Sequence, residues 1–214
     1  MGQDNQPKHR QAGRDLQRRA AVRQPYERLL IVCEGEKTEP QYLRDIQRKY
    51  RLATTHVQVL ACGCGTAPLQ VVEYAERLFR KGAREKGIEA GAFDRLAVVL
   101  DLHLEPAFKA EVESDAALEA PLVALWQALA DALADRPPAQ LAFQLLNEPQ
   151  YYGLQAWRWP LLQKRLLAAV RHRAPAHLVL LSGNAGGSLT ALLDLVPPTD
   201  DAALAASFNH YDPF

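Results

Sequence analysis

Three apolar runs in the 214-residue sequence end in residues that could do chemistry. LLIVC runs into Glu34-Gly35-Glu36, LAVVL into Asp101-Leu102-His103, and LAFQLL into Asn147-Glu148-Pro149. A carboxylate placed where such a run turns into the next segment can hold Mg²⁺ beside a helix N-terminus, or act as general acid or base near phosphate. His210 follows a later apolar stretch in the same way. If these runs are strands of a parallel sheet, functional groups gather at their carboxyl edge. Glu34, Asp101, His103, Asn147, Glu148 and His210 are therefore expected to share one face. Each has a plainer alternative. Glu34 could simply favour the start of the next helix, and Glu148-Pro149 could be an ordinary passage from strand to loop.

The elements that must position these groups follow from length and periodicity. Residues 29–33 are short and β-branched, which predicts a buried parallel strand. Thr38 and Pro40 open a helix in TEPQYLRDIQRKY. HVQVLACG predicts a second strand, GCGTAP a tight turn with Thr66 as cap, and PLQVVEYAERLFRKGAREK a long amphipathic helix. RLAVVLDLH is the third strand, followed after a loop by a helix around Leu118 to Ala134. LAFQLLNEP is the fourth strand, with a helix near Trp157 to His172; HLVLLSGN is the fifth and LAASFNHY the sixth. Alternation of strand and helix throughout predicts an α/β protein built of repeated βα units around a mainly parallel sheet. Trp126, Trp157 and Trp159 fall on or near helices, where core packing is expected. Tyr151 and Tyr152, just after Glu148, are better placed to stack on a bound ligand.

Composition narrows the function classes. Lys and Arg number 25 and Asp and Glu 25, so no global field draws the chain to nucleic acid or membrane. Residues 1–25 are the local exception, carrying Lys8, Arg10, Arg14, Arg18, Arg19 and Arg23 against Asp4 and Asp15. They read as a disordered basic arm that nucleic acid could engage. No signal-peptide core precedes them and no apolar run approaches a membrane span, so a cytoplasmic protein with no membrane partner is expected. Cys33, Cys62 and Cys64 suit reduced thiols, and Cys62-Gly63-Cys64 lacks the second pair that a zinc site needs.

The run ERLLIVCEGEKTEPQYL, preceded by the arginine-rich arm and followed by GCGTAP before a long helix, resembles RloB-like proteins of phage defence, over roughly residues 10–100. That resemblance implies a Toprim-like unit in which Glu34 is the catalytic carboxylate. Asp101 would match the first aspartate of a metal-binding Asp-x-Asp pair, the cofactor would be Mg²⁺, and the reaction phosphoryl transfer or nucleic-acid cleavage. His103 stands where the second aspartate belongs, which weakens a site for an ion that prefers oxygen ligands.

From about Phe93 a different family is resembled. DRLAVVLDLHLEP, then LAFQLLNEP, HLVLLSGN and SFNHYDPF are similar to glycoside hydrolase family 5, with LLNEP the most specific part. The resemblance implies Glu148 as acid/base, Asn147 touching the sugar 2-hydroxyl, His103 lining the subsite, Tyr211 near the position of the nucleophile and His210 among the substrate-binding residues; no cofactor is implied. Asn209 stands where the family has the histidine of a His-x-Tyr pattern, and GNAGGS lacks the aromatic often found after the fifth strand. The family's nucleophile glutamate lies on the next-to-last strand, which this sequence does not reach, so a catalyst lacking its attacking carboxylate is expected. Six strands fall short of a closed eight-stranded barrel, and an incomplete (β/α)8-like barrel or an open sheet is expected. The expected division is an arm over 1–25, a Toprim-like βαβα segment over 26–93 and a partial barrel (strands 3–6) over 94–214. The expected function is that of an O-glycosyl hydrolase acting on a polysaccharide or oligosaccharide of the β-glucan type. The alternatives are an RloB-like Mg²⁺-dependent phosphoryl-transfer protein, and an inactive hybrid or binding module.

Overall fold

The computed structural model describes residues 27–33, 38–52, 57–62 and 67–209. The basic arm, Glu34, Cys64, Thr66, His210 and Tyr211 lie outside the described residues. Six strands, β1 (Leu29–Cys33), β2 (Val57–Ala61), β3 (Arg95–Asp101), β4 (Leu141–Gln144), β5 (Leu178–Ser182) and β6 (Leu204–Ser207), form one parallel sheet in the order β2-β1-β3-β4-β5-β6. Among the described residues five helices accompany them: α1 (Thr38–Lys49), α2 (Pro68–Lys81), α3 (Pro106–Ser114), α4 (Glu119–Leu133) and α5 (Arg158–Arg173). This is the expected α/β architecture, an incomplete barrel whose edge strands β2 and β6 each pair on one side only among the described residues.

Alternation along β3 shows which face is covered. Leu96, Val98 and Leu100 are buried, whereas Arg95 and Val99 on the opposite face are exposed, Val99 by 51%. β4 is buried at Leu141, Ala142 and Phe143, as a central strand should be. α2 covers β1 and β3 through Val71, Val72, Tyr74, Ala75 and Leu78. α4 and α5 pack against each other, with Trp126 and Trp159 fully buried. Each indole N–H donates to a strand-end carbonyl: Trp126 to Leu145 (2.9 Å) and Trp159 to Ser182 (2.9 Å).

Several expectations need correction. The long helix after β2 ends at Lys81 rather than running through GAREK. Gly82 has φ +68°, and a Cβ there would collide with the Ile88 carbonyl. The stretch after β3 is no plain loop, because α3 forms from Pro106 at its first turn. The rhythm of strand and helix also fails between β5 and β6, where the described residues form only 3-10 turns at Ala185–Gly187 and Thr190–Asp194. Ala116–Leu133 does have the length and apolarity of a membrane span. Its stripe of Leu122, Trp126, Ala130 and Leu133 is buried in the protein, and its Glu119 is ion-paired, which marks a core helix.

Candidate functional site at the carboxyl edge

The carboxyl ends of β3 and β4 continue side by side beyond the strands. Asp101 is in register with Gln144, the Leu102 N–H donates to the Gln144 carbonyl (3.3 Å), and the Asn147 N–H donates to the Leu102 carbonyl (3.0 Å). That pairing brings His103 against Asn147, with Asn147 Nδ2 3.2 Å from His103 Nδ1. An amide nitrogen only donates, so Nδ1 is the acceptor in this contact.

Glu148 follows with φ +49°, a left-handed backbone that a residue with a side chain adopts at some cost. Its Oε1 accepts from Asn209 Nδ2 at 3.1 Å. The same amide lies 3.4 Å from Asn147 Oδ1 and 3.4 Å from the Gly186 carbonyl. Asn209 is itself held by its own N–H to the Gly187 carbonyl (2.8 Å), just past the end of β6. Ends of β3, β4 and β6 thus converge on His103, Asn147, Glu148 and Asn209. Asp101 is half-buried at the end of β3. Among the described residues no three His, Cys, Asp or Glu side chains are grouped to hold a metal ion.

Residues 149–151 are fastened on both sides. Gly186 N–H donates to the Pro149 carbonyl (2.8 Å), and Gln150 N–H donates to Glu113 Oε1 (2.7 Å). Tyr151 N–H donates to Asn184 Oδ1 (2.9 Å), while Asn184 Nδ2 returns a bond to the Tyr151 carbonyl (2.5 Å). The Tyr151 ring stacks on Trp159 with centroids 6.0 Å apart, and the Arg158 guanidinium lies 5.4 Å from its centre. Tyr151 is 1% exposed, and burial pushes its phenol up to about 12. It is a core residue and does not reach a sugar. Tyr152, next in the chain, is 63% exposed. The tryptophans divide likewise: Trp126 and Trp159 are core as expected, but Trp157 is 64% exposed.

Two charged side chains of α3 border this loop and were not singled out in the sequence. Burial pushes the Glu113 carboxyl up, opposed by the Gln150 N–H and by Lys109. Burial lowers the Lys109 ammonium, opposed by Glu113, Glu148 and Asp101. Pro106 and the four-residue spacing of Lys109 and Glu113 were the available signals for a helix presenting both on one face.

The family described as RloB-like protein matches residues 29–122, and the family described as Cellulase (glycosyl hydrolase family 5) matches residues 80–214, well over half of the chain. The two overlap across β3 and α3. No curated protein matches the chain. Solved structures do: an endoglucanase at 18% identity covers 88% of this chain and 61% of its own, with a TM-score of 0.53. Thermotoga maritima Cel5A with cellobiose matches at 20% identity, 88% and 61% coverage and a TM-score of 0.53; with mannotriose it matches at 19%, 88%, 62% and 0.52. At such identities the likeness is one of fold, and the chain spans about three fifths of these relatives' length. The match over β3 to β6, with an Asn-Glu pair after β4, places the chain in glycosyl hydrolase family 5, the cellulase family.

Proposed function

We propose that this chain carries the proton-transferring half of a β-glycoside-cleaving site, with Glu148 as acid/base. The observation that supports this most is the convergence of Asn147, Glu148, Asn209 and His103 at the carboxyl edge, where a parallel βα sheet does its chemistry. Cleavage needs one carboxyl to protonate the departing oxygen and a second group to attack the anomeric carbon, roughly 5 to 5.5 Å away in retaining enzymes. Glu148 is the last glutamate of the sequence. The attacking carboxylate is therefore not a glutamate from the segment carrying β5 and β6, and the chain alone is expected to be a poor catalyst. Asn147 would face the sugar 2-hydroxyl and His103 the neighbouring subsite, with His210 and Tyr211 beyond β6. Tyr152 and Trp157 offer exposed rings on which a β-linked oligosaccharide could stack. The relatives solved with cellobiose and mannotriose support a gluco- or manno-oligosaccharide as ligand.

The test supplies an external nucleophile. Azide is added to the full chain with an alkyl β-cellobioside. Nitrogen bonds to the anomeric carbon as its bond to oxygen breaks, and the Glu148 proton goes to the departing alkoxide. The expected product is the α-glycosyl azide, formed only with azide present, and Glu148→Gln is expected to slow it by about 10² to 10⁴. Equal rates in Glu148→Gln and the parent chain would overturn the assignment.

The match to RloB-like proteins over residues 29–122 favours a second reading, Mg²⁺-dependent phosphoryl transfer by Glu34 and Asp101. Of that pair only Asp101 is among the described residues, His103 stands in place of a second aspartate, and the imidazole is engaged by Asn147. The described residues therefore do not fit the ion. Metal-dependent cleavage of nucleic acid, abolished in Glu34→Gln, would establish this reading; absence of both activities from the parent chain would leave a binding module. The division near residue 93, between a Toprim-like front and a partial barrel, is part of the same proposal.

A further inference from the structure

Glu148 does not aim itself. Its left-handed backbone is unfavourable for a residue with a Cβ and persists only where the surroundings over-determine it. The surroundings here are two side chains from different elements. Glu113, in the last turn of α3, takes the Gln150 N–H at 2.7 Å. Asn184, past the end of β5, matches the Tyr151 peptide with one accepted and one donated bond, 2.9 and 2.5 Å. Pro149 between them is buried and its carbonyl is taken by Gly186. The three residues after Glu148 thus have their backbone fixed from α3 on one side and from the β5–β6 connection on the other. Gly186 also offers its carbonyl to Asn209, the partner of Glu148, so one short loop locates both the acid and its donor.

We infer that Glu113 and Asn184 are positioning residues, which hold the 149–151 backbone so that the Glu148 carboxylate meets the Asn209 amide. This rests on the reading of Glu148 as the acid/base and adds two residues that act through it. The cost of placing Glu113 is visible in its environment, since burial disfavours its charged form and the Gln150 N–H opposes that penalty. A carboxylate kept there in spite of burial is doing something an alanine could not.

The test reads the Asn209 side-chain amide by NMR in the full chain, a signature that loss of stability alone would not move. In the parent protein one Asn209 amide proton is expected downfield and slow to exchange, and Glu148→Ala should remove that signature. Asn184→Ala and Glu113→Ala are expected to remove it too, with exchange at the Tyr151 and Gln150 amides respectively quickened about tenfold or more. Glu113→Gln keeps an acceptor for the Gln150 N–H and should restore the signature that Glu113→Ala loses. If Asn184→Ala proves unfolded by circular dichroism, the Glu113 pair decides alone. An Asn209 signature unchanged while the Tyr151 and Gln150 amides open would overturn the inference. Failure of the acid/base reading looks different: the signature behaves as described, yet azide-dependent turnover is indifferent to Glu148→Gln.

Discussion

Replacing Arg158 by methionine should be the most destabilising single polar substitution in the core. Arg158 is 6% exposed at the start of α5. Its Nε and Nη2 both donate to Glu119 Oε1, at 2.9 and 2.7 Å, and Nη1 donates to the Glu113 carbonyl at 2.8 Å. Weaker bonds reach the Val112 carbonyl and Gln155 (3.4 Å each), and the guanidinium lies over the Tyr151 ring. One side chain thus joins the end of α3, the start of α4 and the start of α5 beneath the loop that follows Glu148. Removing one partner of a buried pair costs about 3 to 5 kcal/mol, because the other charge stays buried without compensation. Here Glu119 keeps Arg165 at 2.8 Å, half-exposed, so the lower end applies, about 3 kcal/mol. With a urea m-value of about 2 to 3 kcal/mol/M, the midpoint of equilibrium unfolding should fall by about 1 to 1.5 M. Arg158→Lys keeps the charge but loses the fork and should fall between. Pairing Arg158→Met with Glu119→Leu should recover most of the loss, since it removes both charges together. A midpoint shift below about 0.3 M for Arg158→Met would refute the reasoning.

Burial lowers the His177 imidazole, with Arg171 acting in the same sense and the Arg136 carbonyl, near but outside hydrogen-bond geometry, opposing. The unfolded chain therefore takes up this proton first. The contribution is fully present above the unfolded value of about 6.5 and is lost as pH falls through the folded value. His177→Phe, which keeps a ring against Phe143 (5.3 Å), should flatten the stability profile between pH 7 and 5 by up to about 1.4 kcal/mol per pH unit; parallel profiles would exclude the effect. Tyr152→Ala and Trp157→Ala should each weaken cello-oligosaccharide binding, by about 0.5 to 1.5 kcal/mol by calorimetry, and leave the melting temperature within about 1 °C. Unchanged binding in the double variant would remove the platform from the proposed site.

The strands were legible because the strands of a parallel sheet are written as short apolar runs, and LLIVC, LAVVL, LAF and LVLL are such runs in β1, β3, β4 and β5 even where, as at Val99 and Leu178, one face is open. The residues at their ends were legible for the same reason, which is how His103, Asn147 and Glu148 could be placed together before any geometry. α3 was not, since Val112 is its sole fully buried residue and nine residues then carry almost no periodic signal. With α3 went Lys109 and Glu113. Asn184 escaped because its role is to bind a backbone, which leaves no trace in side-chain pattern. The aromatic errors were avoidable. Trp157 and Trp159 are two residues apart at a helix start, on nearly opposite sides, so they cannot both face one core. Tyr151 and Tyr152 are neighbours in extended chain and point apart.

What the sequence hid altogether is the order of the first two strands. A βα rhythm is satisfied equally by 1-2-3 and by 2-1-3, yet the two have opposite consequences. Parallel crossovers are right-handed, so a chain that steps from β1 to β2 in one direction and from β2 past β1 to β3 in the other must put α1 and α2 on opposite faces. α2 shares the covered face with Leu96, Val98 and Leu100. By the same rule α1, whose Gln47 donates to the Val57 carbonyl on β2, is expected on the face that carries Arg95 and Val99. In a closed barrel that face is the interior, filled by strand side chains alone. A helix there is expected to hinder closure at that end of the sheet. Val99 (51%) and Leu178 (38%) are exposed on that face. The site around Glu148, built from β3, β4 and β6 with α3, is independent of β1 and β2, which is why an unclosed sheet can still assemble it.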